Sequence, residues 1–534
     1  MGGKAIVTTL LQAEEDSQTQ ETKIAKYTVI TFAPVQGFIE KSRKLRDLYG
    51  ASQILSYLSW KIVGAANIKN CEVISPAIEI DDVPEMANAD IVQGMPNRIL
   101  ILGDFSLNDA HQALTEGWKE IVTACRGWLR DNLQIDDEGW FNSWTRWQIH
   151  AWEVFWGSGL SIESAMRDLE TRKLRRAWTV PNWNGESSSL SGHDAIAHPN
   201  MDSLGTNEAE IKSFYKRIAE VLDPSGKEND RAYINENERL SIPELIKRLV
   251  TYGAIARNIH RDLYAPTFRE VLRKDDNSGV THWTGWFMGD GDKVGDHLKR
   301  LTDNASVTQF SQSLRAWGKK FQTDFDKKGR VVYAGGDDFL GVMYGDKQTP
   351  KLDSREVIAW LLDLRDSWEQ GNLGITLSVG FVWAGHSVPQ RDVLQHCREA
   401  EKLAKSLGRD RVTIRVLFNN GQFVQWTTPW KYLSWLKDYR DRNDNNGKDA
   451  NWSHVYTDLA QLKSRHAIPP ATAETVDEFV ALEFFKLYFG KDKGDILNQQ
   501  RKYITGAEDS KSAKPLIEWI DGMIKVGWQL CSNS

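Results

Sequence analysis

Two adjacent aspartates behind two glycines form the strongest chemical signal in this chain. Gly335, Gly336, Asp337 and Asp338 lie between the apolar β-formers Val331-Val332-Tyr333 and Phe339-Leu340-Gly341-Val342. The pattern predicts a tight hairpin, because glycine accepts positive φ and lets a phosphate approach the backbone closely. Like charges side by side at a turn repel. A divalent cation reconciles them, since Mg²⁺ takes carboxylate oxygens and is completed by waters and substrate phosphates. A second acidic pair, Asp290-Gly291-Asp292, ends the apolar run from Trp283 to Met288. If the first strand and the central hairpin of one sheet are neighbours, Asp290 faces Asp337 and Asp338 across it, and three carboxylates are enough for two metals. Taken singly, each motif also reads as a polar turn; it is their joint placement that favours chemistry. Lys405, near the end of a helix predicted over 392–407, could reach a triphosphate as a point charge, although a lysine there is commonly a solvated surface residue.

Those side chains need a scaffold. From His282 the order is a strand, a long helix to Lys328, the hairpin of GRVVYAGGDDFLGVMYGD, an amphipathic stretch over 355–368, a strand over 374–383, a helix over 392–407 and a strand over 411–417. Near the start, YTVITF at 27–32, a helical pattern over 36–64, CEVIS at 71–75, RILILG at 98–103 and a helix over 107–132 give the same strand-helix-strand-strand-helix beginning. Each is the order of a ferredoxin-like sheet with helices on one face. Between the two units helical patterns dominate, broken by a Ser/Gly/Asn/Pro-rich stretch over 181–209. After Trp426 the chain reads as mostly helical, with a polar loop over 438–452.

Composition narrows the class. The 534 residues are 41% hydrophobic and 26% charged, a globular balance sized for several domains. With 67 Lys and Arg against 73 Asp and Glu the net charge is −6, so no global positive field draws the molecule onto nucleic acid or anionic membrane. A local basic turn, Lys41, Arg43, Lys44 and Arg46, is the candidate RNA contact, but Glu40 and Asp47 flank it and a solvated helix face is the plainer reading. Four scattered cysteines with no CxxC pair exclude a disulfide framework and fit a reducing cytoplasm. Residues 1–25 carry neither a secretory signal nor a membrane span and are expected to be a flexible tail. Twenty-two tryptophans are unusual; the cluster Trp140, Phe141, Trp144, Trp147, Trp152, Phe155 and Trp156 has the spacing of a packed helical stripe, with a base-stacking platform as the alternative.

Three blocks carry a resemblance: APVQGFIEKSRKLRDLYGASQILSYLSW at 33–60, DGDKVG at 290–295 and YAGGDDFLGVM at 333–343. Weaker ones are PNRILIL at 96–102, NERLSIPELIKRL at 237–249 and EAEKLAKSLGRDRV at 399–412. On these residues the chain resembles the large polymerase/cyclase subunit of type III CRISPR effector complexes, of the Cmr (III-B) type. The resemblance implies an α+β architecture of two ferredoxin-like Palm domains (GGDEF/cyclase-like), a helical insert between them and a helical C-terminal domain. The implied limits are a tail at 1–25, a first Palm at 26–134, an insert at 135–275 with a degenerate zinc-site loop, a second Palm at 276–425 and a C-terminal domain at 426–534.

What the family does then becomes the expectation: conversion of ATP to cyclic oligoadenylate when target RNA is bound. Asp290, Asp337 and Asp338 would be catalytic metal ligands for Mg²⁺ or Mn²⁺. Gly335, Gly336 and Gly291 would shape the phosphate-facing backbone. Lys405 would contact the triphosphate, Ser311 would lie near the nucleotide, and Ser52 and Ser56 would lie toward the second one. Expected partners are the other Cmr-type subunits, guide RNA, target RNA and ATP, in the cytoplasm and with no membrane. Two departures stand out. Only about 25 residues precede the first strand, so HD nuclease activity is expected to be absent, and His193-Asp194 reads as loop chemistry. The stretch SSSLSGHDAIAHP holds no cysteine, and His193 with His198 cannot close a four-ligand zinc shell, so no zinc is expected. Two other functions stay open: a scaffold subunit that binds nucleotide with little turnover, and a cyclase variant joining AMP to another small molecule such as S-adenosylmethionine.

Overall fold

The computed structural model describes residues 26–78, 94–135, 138–175, 185–200, 207–223, 233–260, 263, 271, 273, 279–301, 303–325, 328–345, 351–468, 478–507 and 513–532. The expected tail at 1–25 and parts of the 181–209 loop lie outside them. Among the described residues ten strands build two sheets. The first contains β1 (Tyr27–Ala33), β2 (Glu72–Ser75), β3 (Ile99–Leu102) and β4 (Glu153–Gly159), in the order β2-β3-β1-β4. The second contains β5 (Thr284–Gly291), β6 (Gly329–Gly335), β7 (Asp338–Met343), β8 (Leu377–Ala384), β9 (Arg411–Leu417) and β10 (Phe423–Pro429), in the order β10-β9-β8-β5-β7-β6. Strands β6-β7-β5-β8 repeat the arrangement of the first sheet, so the same ferredoxin-like plan occurs twice. In both, the first strand lies between the third and the fourth, antiparallel to each.

Strand β4 was not foreseen. The tryptophan stripe spans two elements: the helix Glu138–His150 carries Trp140, Trp144 and Trp147, whereas Phe155 and Trp156 lie on β4. Val154-Phe155-Trp156 is a run of β-formers, and pairing along the whole of β1 satisfies its backbone. The first sheet therefore reaches Gly159, beyond the limit of 134 drawn from the sequence. Packing, not base stacking, holds the cluster, since Trp140 and Trp144 are fully buried and Trp147 and Trp152 nearly so. The segment expected to be helical from Trp426 onward likewise opens inside β10, which pairs with β9 as far as Pro429 before helices take over.

The helical pattern over 36–64 is also two pieces, Gln36–Glu40 and Leu45–Ile68. Asp47 terminates the break by accepting the backbone N–H groups of Arg43 and Lys44 at 2.8 and 2.9 Å. Helix Leu45–Ile68 is buried on nearly all sides because it has a neighbour on each face. Leu45 and Leu48 pack with Trp286, Val332 and Leu340 of the second sheet, while Ile54 and Leu58 pack with the first half. The basic turn faces inward too. Lys41 pairs with Asp194 at 2.9 Å, Lys44 with Glu238 at 3.2 Å, and Arg46 donates to Thr251 at 3.1 Å and lies over the Tyr233 ring. Of the four only Arg43 is exposed, so the turn is neither a solvated face nor a ready RNA patch. In the 185–200 segment, His193 is exposed and His198 is buried against Phe214, accepting from the Asn200 backbone at 3.1 Å. Among the described residues no helix is long and apolar enough to cross a membrane.

Candidate functional site

The two central glycines and the two aspartates do form the hairpin. Gly335 and Asp338 are the last paired residues of β6 and β7, leaving Gly336 and Asp337 as the connection. Gly336 has φ +79°, which a side chain would resist. On the other edge of β7, Asp290 is the direct cross-strand partner of Asp338. Asp290 and Asp338, far apart in sequence, are thus brought together by one sheet register.

A cavity of about 400 Å³ lies in front of this corner, between the two sheets. Its second-sheet wall carries Asp290, Asp337, Asp338, Gly335, Gly336 and Ser311. Its first-half wall carries Ser52 and Ser56 from helix Leu45–Ile68 and the loop Gly94–Arg98. Eight of the ten expected residues therefore converge. Ser311 also ties the halves together, accepting the Ala77 backbone N–H at 2.9 Å with Ser75 Oγ 3.4 Å away.

Two expected residues stand off the cavity wall. Gly291 backs the hairpin, donating its N–H to the Asp337 carbonyl at 2.8 Å. Lys405 lies on the helix Gln390–Ser406 with its ammonium 2.8 Å from Asp290 and a second ion pair to Glu401. In this structure it answers carboxylates. Gly335 has a further duty: a Cβ there would stand 2.2 Å from the Gly94 carbonyl oxygen, so its smallness lets the first half press directly on the hairpin. Asp292 has no part in the cavity. It is buried and accepts from Thr376 Oγ1 at 2.8 Å, Ser378 Oγ at 2.7 Å and the Asp410 backbone at 3.0 Å, fastening β5 to β8 and to the start of β9.

Electrostatically the corner is short of positive charge. Burial, then the neighbouring Asp290 charge, pushes the Asp337 carboxyl up to about 6. Asp338 keeps an open face toward the cavity but is hemmed in by protein elsewhere; burial first, then Asp337 and Asp290, raises it well above the carboxylate range. Asp290 is raised by burial despite Lys405, and Glu401 is raised likewise. Burial opposes the Lys405 charge, yet its bonds to Asp290 and Glu401 hold the ammonium above its ordinary range. Lys405, with Arg98 acting on Asp337 and Arg409 on Asp290, does not overcome the burial of these carboxylates, which is the condition a divalent cation relieves. Among the described residues no group of three or more His, Cys, Asp or Glu side chains is arranged to hold a metal ion. The facing pair Asp290 and Asp338 suits Mg²⁺, which is commonly held by one or two carboxylates together with substrate phosphates.

Residues 284–413 match the family model described as Cas10/Cmr2, second palm domain, and residues 27–123 match CRISPR-associated protein Cmr2, N-terminal. The chain thus contains a Cas10/Cmr2-type second palm domain and a Cmr2-type N-terminal region. Its palm hairpin and facing Asp290 fall within the first match, and Ser52, Ser56 and the Gly94–Arg98 loop within the second. Among solved structures, one titled type III-B Cmr-beta in the apo state aligns with a TM-score of 0.57 at 12% identity, over 94% of this chain and 82% of that one. Csm1 of T. onnurineus aligns at a TM-score of 0.47 and 15% identity, over 98% and 72%. A Csm1-Csm4 cassette in complex with AMPPNP aligns at 0.44 and 15%, over 98% and 72%. No curated protein matches the chain.

Sequence reasoning missed the Gly94–Arg98 loop, Arg315 and Glu401. Two had a readable signal, since Arg315 follows Ser311 and Glu401 precedes Lys405 by four residues, one helical turn on the same face. The loop overlaps the PNRILIL block at 96–102, but its place in the wall depends on the second sheet and was not readable from that block.

Proposed function

We propose that this chain is a Cmr-type large subunit that converts ATP to cyclic oligoadenylate once its complex has bound target RNA. One observation carries the reading: Asp290 and Asp338 meet in register at the wall of a cavity whose opposite wall is a first-half serine face. Under this reading two ATP molecules would face each other across the two walls. A ribose hydroxyl oxygen of one attacks the α-phosphorus of the other, the α–β phosphoanhydride breaks, and pyrophosphate leaves. Positioning and charge supply most of the catalysis, since phosphoryl chemistry asks little covalent help of protein. Asp290 and Asp338 would hold Mg²⁺ with substrate phosphates completing its shell, Asp337 lying beside them; when bound the ion supplies positive charge to the attacking and leaving oxygens. Gly336 lets the hairpin turn at positive φ and Gly335 admits the Gly94 carbonyl against it, and Ser311 holds the walls together. Partners under this reading are the other Cmr-type subunits, guide RNA and target RNA.

The test assembles the complex with target RNA, Mg²⁺ and labelled ATP. Oligoadenylate should form and should be lost in Asp337→Ala/Asp338→Ala; an undiminished yield from that variant overturns the assignment. A second reading, a scaffold that binds nucleotide without turnover, draws on the Lys405 ammonium already seated on Asp290. Measuring ATP binding and product formation separately distinguishes the two.

A further inference from the structure

Ser52 and Ser56 lie one turn apart on helix Leu45–Ile68, and both line the cavity. They differ in what they already hold. Ser56 Oγ accepts the backbone N–H of Gly94 at 3.1 Å and that of Met95 at 3.1 Å. A hydroxyl has two acceptor positions, so Ser56 has both in use. Ser52 is 3% exposed, and its Oγ finds no hydrogen-bond partner among the described residues.

The loop that Ser56 holds is the one pressed against the acidic hairpin. The Gly94 carbonyl oxygen lies 2.2 Å from where a Cβ on Gly335 would stand, and Pro96 Cγ lies 3.4 Å from the corresponding position on Gly336. A chain of contacts therefore runs from the first-half helix through Gly94–Pro96 to Gly335 and Gly336, and so to Asp337 and Asp338. Close packing transmits a displacement along such a chain instead of absorbing it.

We propose that Ser56 is a positioning residue: by tethering Gly94 and Met95 it fixes the acidic hairpin of the second sheet, leaving Ser52 as the hydroxyl that meets the ligand. This divides a pair of serines that sequence reasoning had assigned alike. The part played by Ser52 rests on the nucleotide reading above; the tether by Ser56 does not. An unpartnered buried hydroxyl that both donates and accepts suits a ribose hydroxyl or a phosphate oxygen.

Hydrogen exchange read by mass spectrometry on the full chain tests the tether without any ligand. In Ser56→Ala, amides of 334–341 should exchange about 10-fold faster, as expected when two buried donors lose their acceptor. Ser56→Thr, which keeps the hydroxyl, should restore protection. Ser52→Ala should leave the hairpin unchanged but weaken binding of a fluorescent ATP analogue by about 10-fold, the effect of one hydrogen bond to a charged group. Amides of β8 and β9 serve as the fold control. If Ser56→Ala loosens them as well, Gly94→Ala reads the same contact from its far side, because its Cβ would press at 3.0 Å on the Ala334 and Gly335 backbone nitrogens. Unchanged hairpin protection in that variant, or in a folded Ser56→Ala, overturns the tether, and so does equal loosening by Ser52→Ala. If the wild-type chain binds no ATP analogue, the nucleotide reading and the Ser52 assignment fall together, while the exchange data still decide on Ser56.

Discussion

Replacing Arg248 by alanine should unfasten the insert from the segment that carries the first-half wall. Arg248 is fully buried, with its Nε 2.6 Å from Asp47 Oδ1 and its Nη1 2.5 Å from Glu238 Oε2; the two carboxylates are 1% and 8% exposed. Burial by itself would raise both acids, but the Arg248 charge and its hydrogen bonds overcome that and hold Glu238 at about 2 and Asp47 below its ordinary value. Removing the guanidinium leaves buried Asp47 with backbone donors and Glu238 with Lys44 and the Asn235 N–H, and loss of one partner from such a buried cluster costs about 3–5 kcal/mol. A second route agrees: moving Glu238 from 4.5 to about 2 corresponds to about 3 kcal/mol. The sign follows from linkage. A carboxylate depressed in the folded state contributes stability above its unfolded value, and loses it as pH falls from about 4.5 toward 2. In Arg248→Ala that acid-side loss should shrink, since burial is then opposed only by Lys44 and the Asn235 backbone N–H. A chain of several units is best followed locally, so the assay is hydrogen exchange at 233–251 and 45–58. Exchange should quicken by about a hundred- to a thousand-fold at neutral pH, and Arg248→Met combined with Asp47→Asn and Glu238→Gln should recover most of it. A change below about 5-fold in Arg248→Ala would refute the argument that this cluster braces the insert against the helix.

Three further outcomes follow from the same structure. Gly50→Ala places a Cβ 1.8 Å from the Lys247 carbonyl oxygen, so helices Leu45–Ile68 and Ile242–Leu249 must part, at about 1–3 kcal/mol in local exchange; an unchanged exchange pattern would show that the contact yields freely. Trp144→Ala empties a fully buried site and should cost about 3–5 kcal/mol in urea or exchange measurements, without altering single-stranded RNA affinity; lost RNA binding in a folded variant would revive the stacking platform. Lys405→Gln removes the ammonium now on Asp290. Mn²⁺ binding, read by paramagnetic resonance on the isolated chain, should tighten by several-fold as a competing cation disappears; weaker ATP binding with unchanged Mn²⁺ affinity would instead favour the triphosphate contact.

How far the sequence reached differs by element. The acidic hairpin was legible because its signal is local: two glycines and two aspartates between β-formers specify a turn whatever lies around it. The doubled strand order was legible for the same reason, as alternation and turn residues act over a few positions. The tryptophan cluster was misread because spacings of three to five cannot show that a helix ends at His150 and a strand begins at Glu153. Only pairing with β1 reveals that.

What the chain by itself determined, then, was which residues carry charge at turns and which segments become strands or helices. The tertiary structure decided which of them meet. That Asp290 opposes Asp338, that Ser56 is occupied by Gly94 and Met95 while Ser52 is not, and that the basic turn points into the insert are all contacts between residues far apart in sequence. No local preference encodes them, because they arise from burying two sheets and an insert against one shared helix, where packing and charge pairing are settled jointly.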